Sequence, residues 1–380
     1  MCKCRLHLGC LFLRALLAPL LQRFRCYDHA MKNPVGRSVL AVISVCLTLS
    51  LHAQEIRLKF HHMLPPVAPG HFAMTAPWVE KVEQDSGGRI KIDIYPSLHL
   101  GGQSPLLIDQ VREGVVDFVW TLPGYTPGRF PRIEVFELPF INSNPVVMNL
   151  AIADFIDNHP EEFSEYKIIS VFVHAGNLIH SKVPIRTAEE FAGLKLRIPT
   201  RVAGWMIEAW GATPIGTPVQ KIPEMLSKGI VDGATIPFEA SFALKVHDMV
   251  DYHIFLDDPV RERFNSQVLM IAMNRQTYAN LPHDLQALID ANAGRGIARW
   301  MAEVWINSEK PGEAAAGESG EFIYLPPSEV KKLREISEQQ VADHWISVVA
   351  KQGIDGQALV DEARSLIDHY SEVVAAEAEL

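Results

Sequence analysis

The segment QVREGVVDFVW, residues 110–120, is the most informative part of the sequence, because its pattern recurs as LSKGIVDGAT at residues 226–235. Each copy predicts the end of a helix, a glycine and a short buried strand, with an aspartate three residues after the glycine. Glycine tolerates the left-handed conformation in which a helix can reverse into a strand. Two such copies predict two lobes of similar α/β construction.

The residues on the N-terminal side of the first copy predict the same class of structure. Residues 56–60 alternate apolar and basic side chains, and residues 90–94 alternate apolar and polar ones, so both are predicted strands. Between them we expect a helix with Phe72, Val79 and Val82 on one face. Strand, helix and strand in this order predict an α/β domain.

The C-terminal part of the chain is predicted to be mainly helical. A helix is expected at residues 283–309, followed by a Gly/Ala-rich link at 311–320 and a short strand near 322–325. Further helices are expected from Ser328 and Gln357. No solenoid repeat or low-complexity region interrupts this pattern.

The N-terminal leader, residues 1–53, predicts export. Residues 31–53 carry two basic residues, an apolar stretch too short to span a bilayer, and a small-residue cleavage site before Gln54. We interpret residues 1–30, which precede this signal peptide, as the product of a start codon placed too far upstream.

Composition excludes several classes of function for the mature protein. All five cysteines precede Gln54, so a disulfide framework and thiolate chemistry are excluded. The formal net charge is −10, and the leader carries seven Lys/Arg and one Asp, which leaves −16 on the mature chain. Such an acidic body repels nucleic acid and anionic lipid. An anionic ligand would therefore need a local cation.

The mature length of about 327 residues is more than a single hydrophobic core usually accommodates, so two domains are predicted.

Arg197 is the strongest candidate for such a cation. It lies near the carboxyl end of a predicted strand, residues 194–199, and Thr200 can cap the helix that follows. Ligands of open α/β sheets bind outside the carboxyl ends of strands. An arginine there offers a carboxylate a bidentate fork beside a helix N-terminus. The alternative is a surface arginine in an ion pair.

Apolar residues follow both predicted strands of the repeat. Trp120 and Tyr125 end the first copy in the proline- and glycine-rich stretch WTLPGYTPGRFP, and they can wall a pocket or belong to the core. Ile236 and Phe238 hold the matching places after the second copy, where a buried strand end is the alternative.

Other site chemistries have no support from motifs. His61, His62 and His71 suggest a metal site, but no cysteine or paired carboxylate completes a known ligand spacing. There is no Gly-rich phosphate loop, serine elbow or HExxH helix. We therefore expect no metal, no cofactor and no catalytic residue.

Several segments together resemble a known family, the DctP-type substrate-binding proteins of tripartite ATP-independent periplasmic (TRAP) transporters. They appear in family order across about residues 55–300: GGRIKIDIYPSLHLGG, QVREGVVDFVW, FPRIEVFELPF, the run from Phe191 through GLKLRIPT, GATPIGTPVQKIPEMLSKGIVDGATIP and MNRQTYANLPHDLQ.

The resemblance implies a two-lobed periplasmic binding protein fold that closes around one ligand. It implies crossing strands between the lobes, a long inter-lobe helix and a helical C-terminus. Applied to this chain, lobe one comprises residues 54–174 and 263–308. Lobe two with the C-terminal helices comprises residues 175–262 and 309–380.

The resemblance also implies a ligand class. Arg197 falls on the carboxylate-binding arginine of the family. Sialic-acid-type members have a second arginine where this chain has Asn177, and an asparagine where it has Ile236. The loss of a cation and an amide favours a monocarboxylate, with an aromatic acid slightly ahead of an aliphatic 2-oxo or hydroxy acid. The predicted substrate-binding residues are Arg197, Asn177, Trp120, Tyr125, Ile236, Phe238 and His62.

The partners implied are the small and large integral membrane subunits of a TRAP transporter, and a monomeric periplasmic protein is expected. Two alternatives stay open: a periplasmic sensor module for a signalling partner, and a periplasmic hydrolase or lyase. Neighbouring genes for membrane subunits or for a sensor kinase would separate transport from signalling. Turnover of a candidate acid would identify an enzyme.

Overall fold

A computed structural model describes residues 55–141, 144–257 and 263–378, and the described residues from Ile56 onward form one compact unit. The predicted signal peptide, the residues before it and all five cysteines lie outside the described residues. None of the helices described is both long enough and apolar enough to cross a membrane.

Eleven strands in the described residues form two sheets. They are β1 Ile56–His62, β2 Ile90–Tyr95, β3 Phe118–Thr121, β4 Tyr166–Val173, β5 Leu178–Ser181, β6 Lys195–Ile198, β7 Thr213–Gly216, β8 Gly233–Ile236, β9 Tyr252–Leu256, β10 Val268–Asn274 and β11 Glu321–Leu325.

Helices cover the sheets and form the C-terminal part of the described chain. They are α1 Ala76–Asp85, α2 Leu107–Arg112, α3 Pro145–Asn158, α4 Arg201–Ala209, α5 Ile222–Ser227, α6 Phe238–Ala243, α7 Arg275–Asn280, α8 His283–Ala291, α9 Arg295–Ser319, α10 Pro327–Ser337, α11 Asp343–Ala350 and α12 Gly356–Ala378.

The strand order shows how the chain is divided between the sheets. The first sheet has the order β2-β1-β3-β10-β4 and the second β11-β9-β5-β8-β6-β7. Within the first, β10 runs antiparallel to both of its neighbours, and within the second, β5 does. The chain crosses to the second sheet between Val173 and Leu178 and returns between Leu256 and Val268, and we call these two connections the crossings. The long helix α9 later carries the chain from β10 in the first sheet to β11 in the second. The predicted two-lobed fold with crossing connections is confirmed, while the exact lobe boundaries stay a prediction.

Both predicted copies of the helix-glycine-strand unit are present. In the first, α2 is followed by Gly114 with φ +74° and then by β3; in the second, α5 is followed by Gly229 with φ +63° and then by β8. These positive φ angles are the conformation that glycine adopts without a steric penalty. The repeat therefore brings β3 and β8 to equivalent positions in the two sheets.

The predicted link at residues 311–320 is wrong, because α9 runs unbroken through Pro311 to Ser319. Its 25 residues span about 37 Å and contact both α3, beside the first sheet, and α6, beside the second. At Gly312 a Cβ atom would lie 2.3 Å from the carbonyl oxygen of Phe238. The small residues thus allow close helix packing rather than a flexible link.

Phe72 also differs from the prediction. It does not share a helix face with Val79 and Val82, which are buried, but is 56% exposed. Residues 70–75 form a wider helical turn before α1, and this turn changes the angular position of Phe72. Helical periodicity therefore holds only from Ala76 onward.

Candidate ligand-binding site

The structure brings five of the seven predicted site residues to the lining of one cavity, and the empty space within this cavity and its mouth is about 450 Å³. Its walls come from segments that follow strands of both sheets, from the two crossings between the sheets, and from α9. The lining residues are Met63, Leu64, Trp120, Leu122, Tyr125, His174, Asn177, Arg197, Pro199, Val219, Thr235, Ile236, Pro237, Glu239, Ala240, Gln267, Leu269 and Trp305.

Arg197 is held rigidly and is only 2% exposed. Its Nε donates to the carbonyl of Thr217 at 2.9 Å and its Nη1 to that of Thr235 at 3.2 Å, one on each side of β6. Its Nη2 has no hydrogen-bond partner within the described ranges. Burial lowers the pKa of Arg197 to about 10, so the side chain stays cationic at neutral pH. The arrangement leaves one preoriented cationic donor for an anion.

Tyr125 lies beside this cation and joins the two sides of the cavity. Its hydroxyl accepts a hydrogen bond from the backbone N–H of Val219 at 3.2 Å. Burial raises the pKa of Tyr125, and the neighbouring Arg197 opposes the shift. The neutral phenol thus supports Arg197 without neutralising it.

The two crossings between the sheets contribute a hydrogen-bonded amide cluster. His174 Nδ1 accepts from the Gly176 N–H at 2.8 Å, which leaves Nε2–H to donate to Gln267 Oε1 at 2.9 Å. Asn177 Nδ2 donates to the same Gln267 oxygen at 2.5 Å and to Asn265 Oδ1 at 2.9 Å. Burial lowers the pKa of His174 to about 4, so the imidazole is neutral at pH 7. Asn177 Oδ1 and Gln267 Nε2 remain without partners among the described atoms.

Two tryptophans form an aromatic wall with free indole donors. Trp120 and Trp305 have ring centroids 5.8 Å apart. Trp120 packs on Gly70, where a Cβ would come within 2.1 Å of its ring. Neither indole N–H has a hydrogen-bond partner in the part of the chain described.

Glu239, which no sequence motif marks as a site residue, adds a carboxyl group to the lining. It follows the predicted residue Phe238 at the start of α6, and only the repeat gave a signal, by marking this loop as equivalent to the one after β3. Its backbone N–H donates to Glu309 Oε1 at 2.9 Å. Burial, with the nearby Glu309 carboxyl, raises the pKa of Glu239 well above its usual range.

Buried polar groups are normally hydrogen-bonded, and each exception calls for an explanation. Six partnerless side-chain atoms belong to residues that line this one cavity, as counted over the described residues: Arg197 Nη2, Trp120 Nε1, Trp305 Nε1, Gln267 Nε2, Asn177 Oδ1 and Glu239 Oε2. Most of the remaining lining is apolar. The cavity therefore suits a ligand with an apolar body, an anionic group and at least one further polar atom.

The structure leaves His62 and Phe238 out of the cavity lining. His62 is fully buried at the end of β1, where its Nε2 lies 2.9 Å from His71 Nδ1. Phe238 packs with Leu178, Phe255 and other apolar residues in a separate small core. Neither has geometric support as a ligand contact.

The histidines at the end of β1 do not have enough potential metal ligands around them, among the described residues, to form a metal centre. Over residues 55–141, 144–257 and 263–378, no group of three or more His, Cys, Asp or Glu residues is placed to hold a metal ion. Burial, together with the neighbouring His71 and His61, lowers the pKa of His62 to about 3. His62 is therefore a neutral buried residue at physiological pH.

Solved structures of known proteins share this fold. One is a TRAP solute-binding protein from a marine metagenome, specific for aromatic acid ligands and crystallised with 3-hydroxybenzoate; it is 37% identical, with a TM-score of 0.81 over 83% of this chain and 99% of that one. Another, from Rhodoferax ferrireducens with copurified benzoate, is 37% identical, with a TM-score of 0.81 over 84% and 99%.

Sequence comparison leads to the same group of proteins. The outer membrane transporter protein TsaT of Comamonas testosteroni is 25% identical over 329 residues, which are 86% of this chain and 96% of that protein. Residues 60–347 match the DctP family. Proteins of this family and the structural neighbours are solute-binding components of transport systems rather than enzymes. The chain therefore belongs to the DctP family, the bacterial extracellular solute-binding proteins of family 7.

Proposed function

We propose that this protein captures an aromatic monocarboxylate between its two lobes and delivers it to the membrane subunits of a TRAP transporter. The observation that carries the proposal is the Nη2 of Arg197, which has no partner among the described residues. Arg197 is also the one cationic side chain among the described residues that line this mostly apolar cavity with its two tryptophans. One guanidinium balances one carboxylate, while a second carboxylate would lose its hydration without a matching charge. The ligands of the metagenome and Rhodoferax proteins, 3-hydroxybenzoate and benzoate, support the aromatic class.

A thermal-shift screen of the mature protein tests this function. The panel contains benzoate, mandelate, an aliphatic 2-oxo acid, a C4-dicarboxylate and an uncharged benzamide as the control for charge. A ligand at 100 times its Kd stabilises the folded protein by about 2.7 kcal/mol, a shift that is easily measured. We expect benzoate or mandelate to give the largest shift. A larger shift with the dicarboxylate, or turnover of any acid, would overturn the proposal.

Export to the periplasm as a monomer belongs to the same proposal. The family is described as extracellular, and the predicted signal peptide ends before Gln54. N-terminal sequencing of periplasmic protein should give a start near Gln54, and sedimentation should give the mass of one chain. Co-purification with the two membrane subunits, enhanced by ligand, is expected. A start within residues 1–30 would contradict the predicted cleavage.

A further inference from the structure

The Glu239 carboxyl is built into the cavity wall in an unusual way. It is 4% exposed and lies in the first turn of α6, directly after the strand end formed by Ile236 and Pro237. The backbone N–H of Glu239 donates a hydrogen bond to Glu309 Oε1, which fixes the position of the Glu239 backbone. The Oε2 atom at the end of the side chain is left without a partner among the described residues.

The charges around Glu239 favour its neutral form. The carboxyl that faces it belongs to Glu309 of α9, and Arg263 Nη2 lies 3.6 Å from Glu309 Oε2. Glu313, one turn further along α9, adds negative charge near Glu309. Burial raises the pKa of Glu309 to about 7, and the neighbouring Arg263 opposes this shift. Arg263 thus partly balances the charge of Glu309, whereas an ionised Glu239 would add a buried negative charge whose charged neighbour, among the described residues, is the Glu309 carboxyl. A protonated carboxyl can both donate and accept a hydrogen bond.

We propose that Glu239 recognises a hydroxyl substituent of the bound aromatic acid, so that the site selects hydroxylated aromatic monocarboxylates over unsubstituted ones. This inference rests on the proposed function. A hydroxyl group, like a protonated carboxyl, donates and accepts, and the two can satisfy each other in an apolar cavity. A cationic ammonium substituent would instead require Glu239 to ionise next to Glu309, at a high desolvation cost.

The test is calorimetry at pH 7 with benzoate and its three monohydroxy isomers, on the parent protein and on Glu239→Leu, Glu239→Gln and Glu162→Gln. We expect at least one hydroxy isomer to bind the parent about tenfold tighter than benzoate, the effect of about one hydrogen bond. In Glu239→Leu this advantage should fall below about twofold, with benzoate affinity changed less than about threefold. Glu239→Gln, which keeps a neutral donor and acceptor, should retain most of it. Glu162→Gln changes a carboxyl outside the lining and should leave it unchanged.

A second comparison tests the charge state in the parent alone, and therefore does not depend on the folding of any variant. A hydroxymethylbenzoate should bind tighter than the aminomethylbenzoate substituted at the same ring position. The inference is overturned if the aminomethyl compound binds tighter, if no hydroxy isomer surpasses benzoate, or if Glu239→Leu keeps the preference. Failure of every aromatic acid to bind would instead overturn the proposed function, so the two failures are distinguishable.

Discussion

The two sheets share one construction but contribute different chemistry to the cavity. In the first, Asp117 accepts from the Lys59 N–H at 2.8 Å through its side chain and donates its own N–H to the Lys59 carbonyl. In the second, Asp232 makes the same pair of bonds with Lys195, the side-chain bond again at 2.8 Å. The aspartates of the repeat therefore set the register of β3 on β1 and of β8 on β6.

This shared register makes His61 the positional equivalent of Arg197, since each lies two residues beyond its lysine. His61 is fully buried, and its Nδ1 is 2.8 Å from Gln110 Oε1; burial lowers its pKa, so it is neutral. Arg197 keeps its charge and one unpartnered nitrogen. Equivalent backbone positions thus hold a hydrogen-bonded core residue in one lobe and the proposed anion-binding residue in the other. The shared topology places both residues at equivalent points of their sheets, and their different side chains determine what each can bind.

The largest change in ligand affinity is expected for substitutions of Arg197. Arg197→Ala should weaken binding of an aromatic acid by about 2–5 kcal/mol, because a carboxylate buried without its partner pays the full desolvation cost. Arg197→Lys should also weaken binding clearly, since an ammonium cannot both bond the carbonyls of Thr217 and Thr235 and reach the ligand with the geometry of the planar guanidinium. Calorimetry measures both. His61→Gln at the equivalent position is the matched control and should leave affinity nearly unchanged. Equal losses at both positions would refute the asymmetry.

The crossings belong to neither sheet, and His174 in the first crossing should make the stability of the folded protein depend on pH. His174 has a pKa of about 4 in the folded protein against 6.5 in the unfolded chain. As the pH falls below 6.5 the unfolded chain is protonated first, so stability is lost down to about pH 4 and then levels off. His174→Gln should remove this contribution, at most about 3 kcal/mol. Denaturant unfolding from pH 7 to 4 tests it; identical pH profiles for parent and variant would contradict it.

The two aspartates of the repeat, Asp117 and Asp232, should contribute similarly to the stability of the two lobes. Asp117→Asn and Asp232→Asn should each cost about 1–2 kcal/mol, since each removes a charge-assisted bond to a backbone N–H. Asp117 should cost slightly more, because it also accepts from Thr277 Oγ1 at 2.9 Å. Denaturant midpoints measure both. A loss at only one of the two positions would mean that the lobes do not use the motif alike.

The smallest expected effect concerns Asn177, which lies in the first crossing. Asn177→Ala should weaken ligand binding by about 1 kcal/mol, the value of one neutral hydrogen bond. Its Oδ1 lacks a partner within the residues described, while its Nδ2 is already engaged by Gln267 and Asn265. Calorimetry against the same acid gives the value. A loss of affinity as large as that of Arg197→Ala would mean that Asn177, and not Arg197, makes the main contact with the anion.

Much of the site was predictable where chemistry follows directly from a local pattern. Arg197 lies in the cavity lining, as expected from a strand, a basic residue and a helix cap in sequence order. Trp120 and Ile236 lie there too, at the carboxyl ends of the repeated strands, while the binding role of all three stays a prediction. Gln267 and Trp305 could not be found in this way. They reach the cavity from a crossing and from the long helix, so their roles depend on contacts with residues far away in the chain.

The α/β class, the repeated unit and the position of the carboxylate-binding candidate can be read from the sequence, because hydrophobic period, glycine turns and strand ends are local properties. Which residues meet in the cavity lining depends on the packing of segments that are distant in the chain. The tertiary structure placed Glu239 against Glu309, ran α9 unbroken through Pro311, and left His62 outside the cavity. Burial and the nearest charged neighbour fix the protonation state of a side chain, and both arise only when distant segments pack together.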